Sequence, residues 1–397
     1  MSPREYDVII VGMGPAGASA AYELSRHGIS VLAFDKQIHP RYKVCGGGLS
    51  ARIAKILPLD FPEVVEETVR RVQFTYGDRE SFLIESPDPI AFMVMRQNFD
   101  QWLADHARQA GTEIHEGERV VEIHNGEDGV DVVTTQARYH SRVVIGADGA
   151  MSVVAQQCFP GRPLRKIPAL ESEVHEEGSH PFQEIPTALI SLQAAKKGYG
   201  WIFPKRQGLS LGVGEFVQGP KRPKQSFRDF IEHEPMLTGL QIPTPLGHPI
   251  PIASPQAYRS GHAWQGRLVR GRAMLVGDAG HLVDPLLGEG IYYAVRSGQL
   301  AATSVADMLN QSATGHLSHY ETLVANEVGP EFRVAGRLGK IIYGLPHVVH
   351  RWAGQQFPDA YQRVLSRYCE VLQGKETYQS LWNRILQRLH CPWAANP

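Results

Sequence analysis

The stretch from Tyr6 to Asp35, YDVIIVGMGPAGASAAYELSRHGISVLAFD, limits the fold more than any other part of the chain. Val8-Ile9-Ile10-Val11 is an apolar run without polar alternation, which suits a parallel strand buried on both faces. Gly12-x-Gly14-x-x-Gly17 follows at once, with Pro15 and Ala16 inside it. Ala18, Ala21, Tyr22 and Leu24 then form a helical stripe that stops at Gly28, and a second strand, Ser30 to Phe34, ends on Asp35. Gly12 lets the chain turn out of the strand, Gly14 lets the backbone approach a pyrophosphate, and Gly17 lets the helix pack on the sheet. The helix N-terminus offers free N–H groups and positive potential to phosphate. Asp35 stands where a carboxylate accepts a ribose hydroxyl.

An acid at that place disfavours a 2′-phosphate, so the expected resident is FAD or NAD(H). At 397 residues the chain exceeds one ordinary core, and two joined domains are expected. A net charge of −1 gives no general attraction to nucleic acid or anionic lipid. Cys45, Cys158, Cys369 and Cys391 lack CxxC spacing, so neither a zinc site nor a disulfide framework is indicated and a reducing cytoplasm fits. No signal peptide and no membrane-spanning apolar run are read from the sequence. The pairs His316/His319 and His347/His350 read as surface or packing histidines, with no metal expected.

Cys45 precedes Gly46, Gly47 and Gly48, and a helix is expected near Ser50, its N-cap. Glycine-rich backbone beside a nucleotide fold suggests a flat or large body against the main chain, with a flexible loop as the alternative. Val69 to Tyr76, Glu80 to Glu85 and Ile90 to Met95 read as strands. Arg96 starts a helix whose face is Phe99, Trp102, Leu103 and Ala107; it stands within reach of a phosphate, or is a solvated charge. Asn125-Gly126-Glu127-Asp128-Gly129 marks a hairpin, and Arg142 to Gly149 a buried strand ending in Asp148-Gly149. Between 165 and 265 prolines are dense and strands alternate (Leu170 to His175, Ala188 to Gln193, Gly198 to Phe203, Gly208 to Phe216), which suits an inserted antiparallel sheet. Tyr199, Trp201 and Phe203 fall at period two on one face; spacing leaves open whether they are core or wall an apolar slot. A last buried strand ends in Gly277-Asp278, and the loop Asp284-Pro285-x-x-Gly288-x-Gly290 leads into a helix from about Ile291 to Asn310, whose N-terminus would stabilise an electron-rich ring anion. The remaining residues look helical, broken at Pro346 and Pro358, and by default pack as core.

The expected fold is α/β: a Rossmann-type dinucleotide domain over 1–165 and 266–312, an antiparallel-sheet substrate domain over 166–265, and a helical region over 313–397. The fingerprint with Asp35, Arg96, Asp148-Gly149 and Gly277-Asp278 followed by Pro285, Gly288 and Gly290 resembles the flavoprotein fold of para-hydroxybenzoate hydroxylase. The resemblance implies an extended FAD. Gly12, Gly14, Pro15, Ala16, Gly17, Asp35 and Lys36 would hold its ADP half and Arg96 its pyrophosphate side. Asp278 would hold the ribityl chain, Gly288, Gly290 and Ile291 the flavin edge, and Asp148, Pro285 and Cys45 to Gly48 further contacts. Asp35 stands where most members carry Glu. Pro40-Arg41-Tyr42-Lys43-Val44-Cys45-Gly46-Gly47-Gly48-Leu49-Ser50 and Tyr199-x-Trp201-x-Phe203-Pro204 further resemble the cysteine–glycine loop and YxWxFP motif of the geranylgeranyl reductase family. The loop is unlike that of plant chlorophyll-pathway reductases.

That family's activity implies hydrogenation of isolated isoprenoid C=C bonds by hydride from reduced FAD plus a proton. Tyr199, Trp201 and Phe203 would then wall the apolar slot, and Cys45 would touch flavin or relay a proton. A second strand–GxGxxG–helix unit is lacking, so the reductant is expected to be transient NAD(P)H or an electron-carrier protein such as ferredoxin. So greasy a substrate implies peripheral contact with the inner face of a membrane. Two rivals stand: a FAD-dependent aromatic hydroxylase or halogenase, and a non-redox prenyl-lipid escort protein.

Overall fold

The computed structural model describes residues 5–390, apart from 77–79, 162–164, 176–184, 193, 196–197, 217–221, 255–266, 312–314 and 346. Gln193, Pro346 and Cys391 lie outside the described residues. The chain divides into two compact units: Met1–Lys43 with Arg96–Lys166 and Pro249–Phe332, and Val44–Met95 with Ile167–His248 and Arg333–Pro397.

The first unit is built on an eight-stranded sheet. Its main path runs Val269–Arg270, Ala273–Leu275, Arg138–Gly146, Glu5–Val11, Val31–Asp35, Glu113–Glu116. Glu5–Val11 pairs parallel on both sides, Val8 against Val31 and against Val143. A central parallel strand is covered on both faces, which is why Val8 to Val11 show no polar alternation. The hairpin at Asn125 to Gly129 forms as expected, Val120–Asn125 with Val130–Thr134, and joins the sheet through Arg138–Gly146. The helices Pro15–Arg26 and Ile291–Leu309 start where their glycine loops end.

The second unit holds a seven-stranded, mostly antiparallel sheet, in the order Leu246–Pro251, Lys166–His175, Gly208–Glu215, Gly198–Lys205, Thr187–Ser191, Arg71–Tyr76, Glu80–Glu85. One face is aliphatic. Leu170, Leu189, Ile202, Leu209, Leu211 and Val213 meet Phe227 and Phe230 of the helix Pro223–His233 in a dry core, each such side chain contributing about 1.5–3 kcal/mol by burial. The other face is set by register: Trp201 lies opposite Gly212, which lies opposite Glu171, and Phe203 opposite Ser210, opposite Glu173. An aromatic row, a row of glycine and serine, and a row of acids therefore run side by side. C-terminal helices cover the far end of this face. Tyr76 stacks on His350 and Phe74 meets Tyr368 edge-on. His350 also binds the Ile342 carbonyl through Nε2 at 2.8 Å, so it packs.

Two local expectations need correction. The helix near Ser50 is one 3-10 turn, Ala51–Lys55, and Ser50 makes no side-chain cap; its Oγ accepts from Arg52 Nε instead. Val69 to Tyr76 is not one strand but two, Glu67–Val69 and Arg71–Tyr76, in different sheets. The break at Arg70 arises because the main chain on either side bonds different partners: Val69 O accepts from Ile90 N, and Arg70 O from Ser86 N.

Candidate functional site

In the first unit the glycine fingerprint has the geometry its spacing demands. Gly12 has φ +98°, and a Cβ there would stand 2.6 Å from Ala147 O. A Cβ on Gly17 would stand 1.9 Å from Gly12 O, so only hydrogen lets the helix approach the turn. Gly14 differs: a Cβ there would meet only the Arg41 guanidinium, at 3.7 Å. The helix begins at Pro15 with no side-chain cap, leaving its first-turn N–H groups available.

Asp35, 6% exposed, accepts from Met13 N at 3.0 Å and Gln37 N at 2.9 Å. Arg41 approaches it to 3.6 Å and donates to Asp100 at 3.1 Å. Arg96 donates twice to Asp100, from Nε and Nη2, each at 2.9 Å. Two arginines are thereby fixed by one carboxylate that has no solvent exposure. Burial pushes the Asp278 carboxyl up, with Lys43 and Arg96 acting in the opposite sense. The loop before Ile291–Leu309 is tied by Asp284, whose Oδ1 accepts from Leu286 N and Leu287 N and whose carbonyl accepts from Gly288 N. Gly290 caps that helix without a side-chain bond, again leaving N–H groups open. Asp148 caps a short helix through Val153 N at 2.6 Å, and its Oδ1 is buried without a partner. Burial pushes the Asp148 carboxyl up. Lys36 is exposed.

These residues fit the group their pattern implies. Uncapped helix N-termini, an open side at Gly14 beside a fixed guanidinium, and a buried acid at the end of the second strand suit a dinucleotide pyrophosphate and ribose. Arg41 and Asp100 were not singled out in the sequence. Asp100 had a readable signal, four positions after Arg96 on one helix face; Arg41 had none.

In the second unit the two family motifs meet. A Cβ on Gly46 would stand 2.8 Å from Trp201 Nε1 and 3.0 Å from the Phe203 ring, and one on Gly48 2.8 Å from Phe203. The flat bodies against this glycine backbone are the chain's own aromatic rings. Gly47, at φ +62°, turns the loop beneath Val94 O and donates to Cys45 Sγ at 3.5 Å. Tyr199, Trp201 and Phe203 succeed one another at 6.0 and 6.3 Å between ring centroids. Trp201 Nε1–H is buried without an acceptor. Lys205, next on the same face, ends the row with its ammonium buried against the loop. A charge continuing an apolar period-two row was the sequence signal for it. Among the described residues no group of three or more acids, histidines or cysteines is gathered as for a metal.

A parallel sheet whose first turn has room and free N–H groups for a pyrophosphate, in a chain that also holds a second, mostly antiparallel sheet, is the arrangement of FAD-dependent oxidoreductases. Residues 5–326 match the model of the FAD binding domain family. A geranylgeranyl diphosphate reductase of Rhodobacter capsulatus is 30% identical over 83% of this chain and 82% of its own. A digeranylgeranylglycerophospholipid reductase of Methanopyrus kandleri is 27% identical over 85% and 86%. The chain belongs to the geranylgeranyl reductase family of FAD-dependent oxidoreductases. Its fold matches a geranylgeranyl bacteriochlorophyll reductase-like protein of Thermoplasma acidophilum with TM-score 0.74 at 21% identity, over 99% of this chain and 97% of that one. A flavin-dependent brominase matches with TM-score 0.72 at 20% identity, over 98% and 100%, so the fold by itself does not select the reaction.

Proposed function

We propose that this flavoprotein hydrogenates isolated C=C bonds in a geranylgeranyl-type isoprenoid chain, one hydride and one proton adding across each bond. The observation that carries the reading is the seating of Gly46 and Gly48 on Trp201 and Phe203: a cysteine-bearing loop laid on an aromatic strand. FAD, when bound and reduced, supplies the hydride and is left oxidised. The first unit's turn at Gly12 to Gly17, with Asp35, Arg41, Arg96 and Asp278, would hold it. The aromatic row would bind the isoprenoid and exclude water. Cys45 would hold or pass the proton at Sγ. Electrons would arrive from NAD(P)H or from a carrier protein such as ferredoxin.

Mass spectrometry of geranylgeranyl diphosphate incubated with the purified holoenzyme and dithionite tests this. Product masses should rise in steps of two hydrogens, and Cys45→Ala should slow those steps at least tenfold. Unchanged substrate, together with oxygen-dependent NADPH oxidation stimulated by a phenol, would move the assignment to a hydroxylase. Protein purified without yellow colour would move it to an escort.

The same reading includes contact with a bilayer surface. No helix of the described residues is long and apolar enough to cross a membrane. Val349 and Trp352 share one outward side of the helix His347–Gln356. Phe357, just before the next helix, Pro358–Leu372, and Val364 on that helix are also exposed. Trp352 and Phe357 touch at 5.8 Å between centroids, each 56% exposed. Exposed Arg351 and Arg363 flank them. Such a patch suits an anionic interface. Vesicles of phosphatidylcholine with phosphatidylglycerol should co-sediment the protein, and Trp352→Glu with Phe357→Glu should release it. Equal sedimentation of wild type and variant, or none, removes this contact from the proposal.

A further inference from the structure

The second unit contains a buried cation that the proposed reaction does not itself require. Lys205 is 5% exposed. Its Nζ donates to Gly46 O at 2.8 Å and to Val94 O at 2.8 Å. Both acceptors are main-chain carbonyls. Bonds from an ammonium to a carbonyl in a dry setting are stronger than neutral ones. The two carbonyls belong to the two strands of chain that form the loop: Gly46 follows Cys45, and Val94 donates its own N–H to Gly47 O at 2.9 Å. Lys205 is also the residue after Pro204 on the aromatic strand, so one strand carries both the rings and the amine that meet this loop.

We propose that Lys205 is a positioning residue: the N–H groups of its side-chain amine, which has two donors even when neutral, tie Gly46 and Val94 together and so fix the Cys45-Gly46-Gly47 loop on Trp201 and Phe203, acting on Cys45 through that loop. The inference rests on the reading that this loop takes part in the reaction. A hydrophobic side chain of equal length would fill the same space but leave both carbonyls without a donor. Such orphaned acceptors each cost about 1–3 kcal/mol when buried.

The amine's surroundings add a pH dependence. Burial lowers Lys205 from the ordinary lysine range to about 8, and Cys45 on the loop, Glu173 and Glu171 on the acid row, and Glu66 act in the opposite sense. The sign follows from proton counting. A loop opening that wets the amine restores its ordinary proton affinity, so between about 8 and the ordinary lysine value the open form binds more protons. Rising pH through that window therefore favours the closed loop.

Hydrogen exchange of the FAD-loaded enzyme, corrected for intrinsic rates, tests the proposal. In Lys205→Met the peptide covering residues 45–50 should exchange at least about tenfold faster at neutral pH, since both carbonyls lose their donor. Peptides of the helix Pro223–His233, which packs on the aliphatic face, should not change. Wild-type protection of 45–50 should rise from pH 8 to 10, and the slope should vanish in the variant. If Lys205→Met aggregates, Lys205→Gln, which keeps an N–H donor, should show an intermediate rate. Unchanged exchange at 45–50 with an unchanged slope overturns the clamp. Isoprenoid reduction is followed separately: a wild type that reduces nothing but shows the exchange pattern keeps the clamp and sinks the functional reading.

Discussion

Gly17→Ala is expected to yield a protein that purifies almost colourless. The added methyl would stand 1.9 Å from Gly12 O and 3.0 Å from Ala147 Cβ, both held by the sheet. No flexible side chain is there to yield, so the helix Pro15–Arg26 must lift from the turn. Overpacking of this kind costs about 1–3 kcal/mol, and it moves the N–H groups offered to a pyrophosphate. Flavin absorbance of the purified protein and its thermal midpoint check both effects. Gly14→Ala separates them. Its methyl would meet only Arg41, at 3.7 Å, so the apo midpoint should stay while FAD affinity falls. A Gly17→Ala protein as yellow and as stable as wild type would contradict the role given to this turn.

The next largest effect is expected at Asp100. Its carboxylate has no solvent exposure and takes three hydrogen bonds, one from Arg41 and two from Arg96. Asp100→Ala leaves two guanidiniums buried with their shared acceptor gone, and removing one member of a buried ionic group costs about 3–5 kcal/mol. Urea unfolding of the apo protein should show a loss of that size. Saturating FAD should restore part of it, because a pyrophosphate brings negative charge to the same arginines. A loss below about 1 kcal/mol would mean that water reaches the pair.

The first 35 residues were readable because their cues follow one another along the chain. Strand, turn, helix and terminal acid come in that order, and the closest constraint on Gly17, its missing Cβ against Gly12 O, acts within a few residues, though Ala147 adds a distant one at Gly12. The Cys45 loop was readable only as glycine-rich. What lies on it was not, because Trp201 and Phe203 reach it through strand register, which is fixed by pairings along the whole sheet. The same limit explains Val69 to Tyr76, an unbroken β-like run that two sheets divide at Arg70. Ser50 carried a good cap signal, but the chain after it makes a single 3-10 turn. Arg41 shows the limit for charges: its partners Asp35 and Asp100 come from two distant segments. The period-two aromatics could be read as a face but not as which face, and the opposite, aliphatic side packs against the helix Pro223–His233.

The indole of Trp201 rests over Gly212 of the neighbouring strand, where a methyl would stand 2.3 Å from the ring. The berth for the largest ring in the motif is therefore carved by a residue with nothing to show, one strand away and outside any signature. A search confined to the signature would credit the aromatic side chains with a contour that their silent neighbour makes.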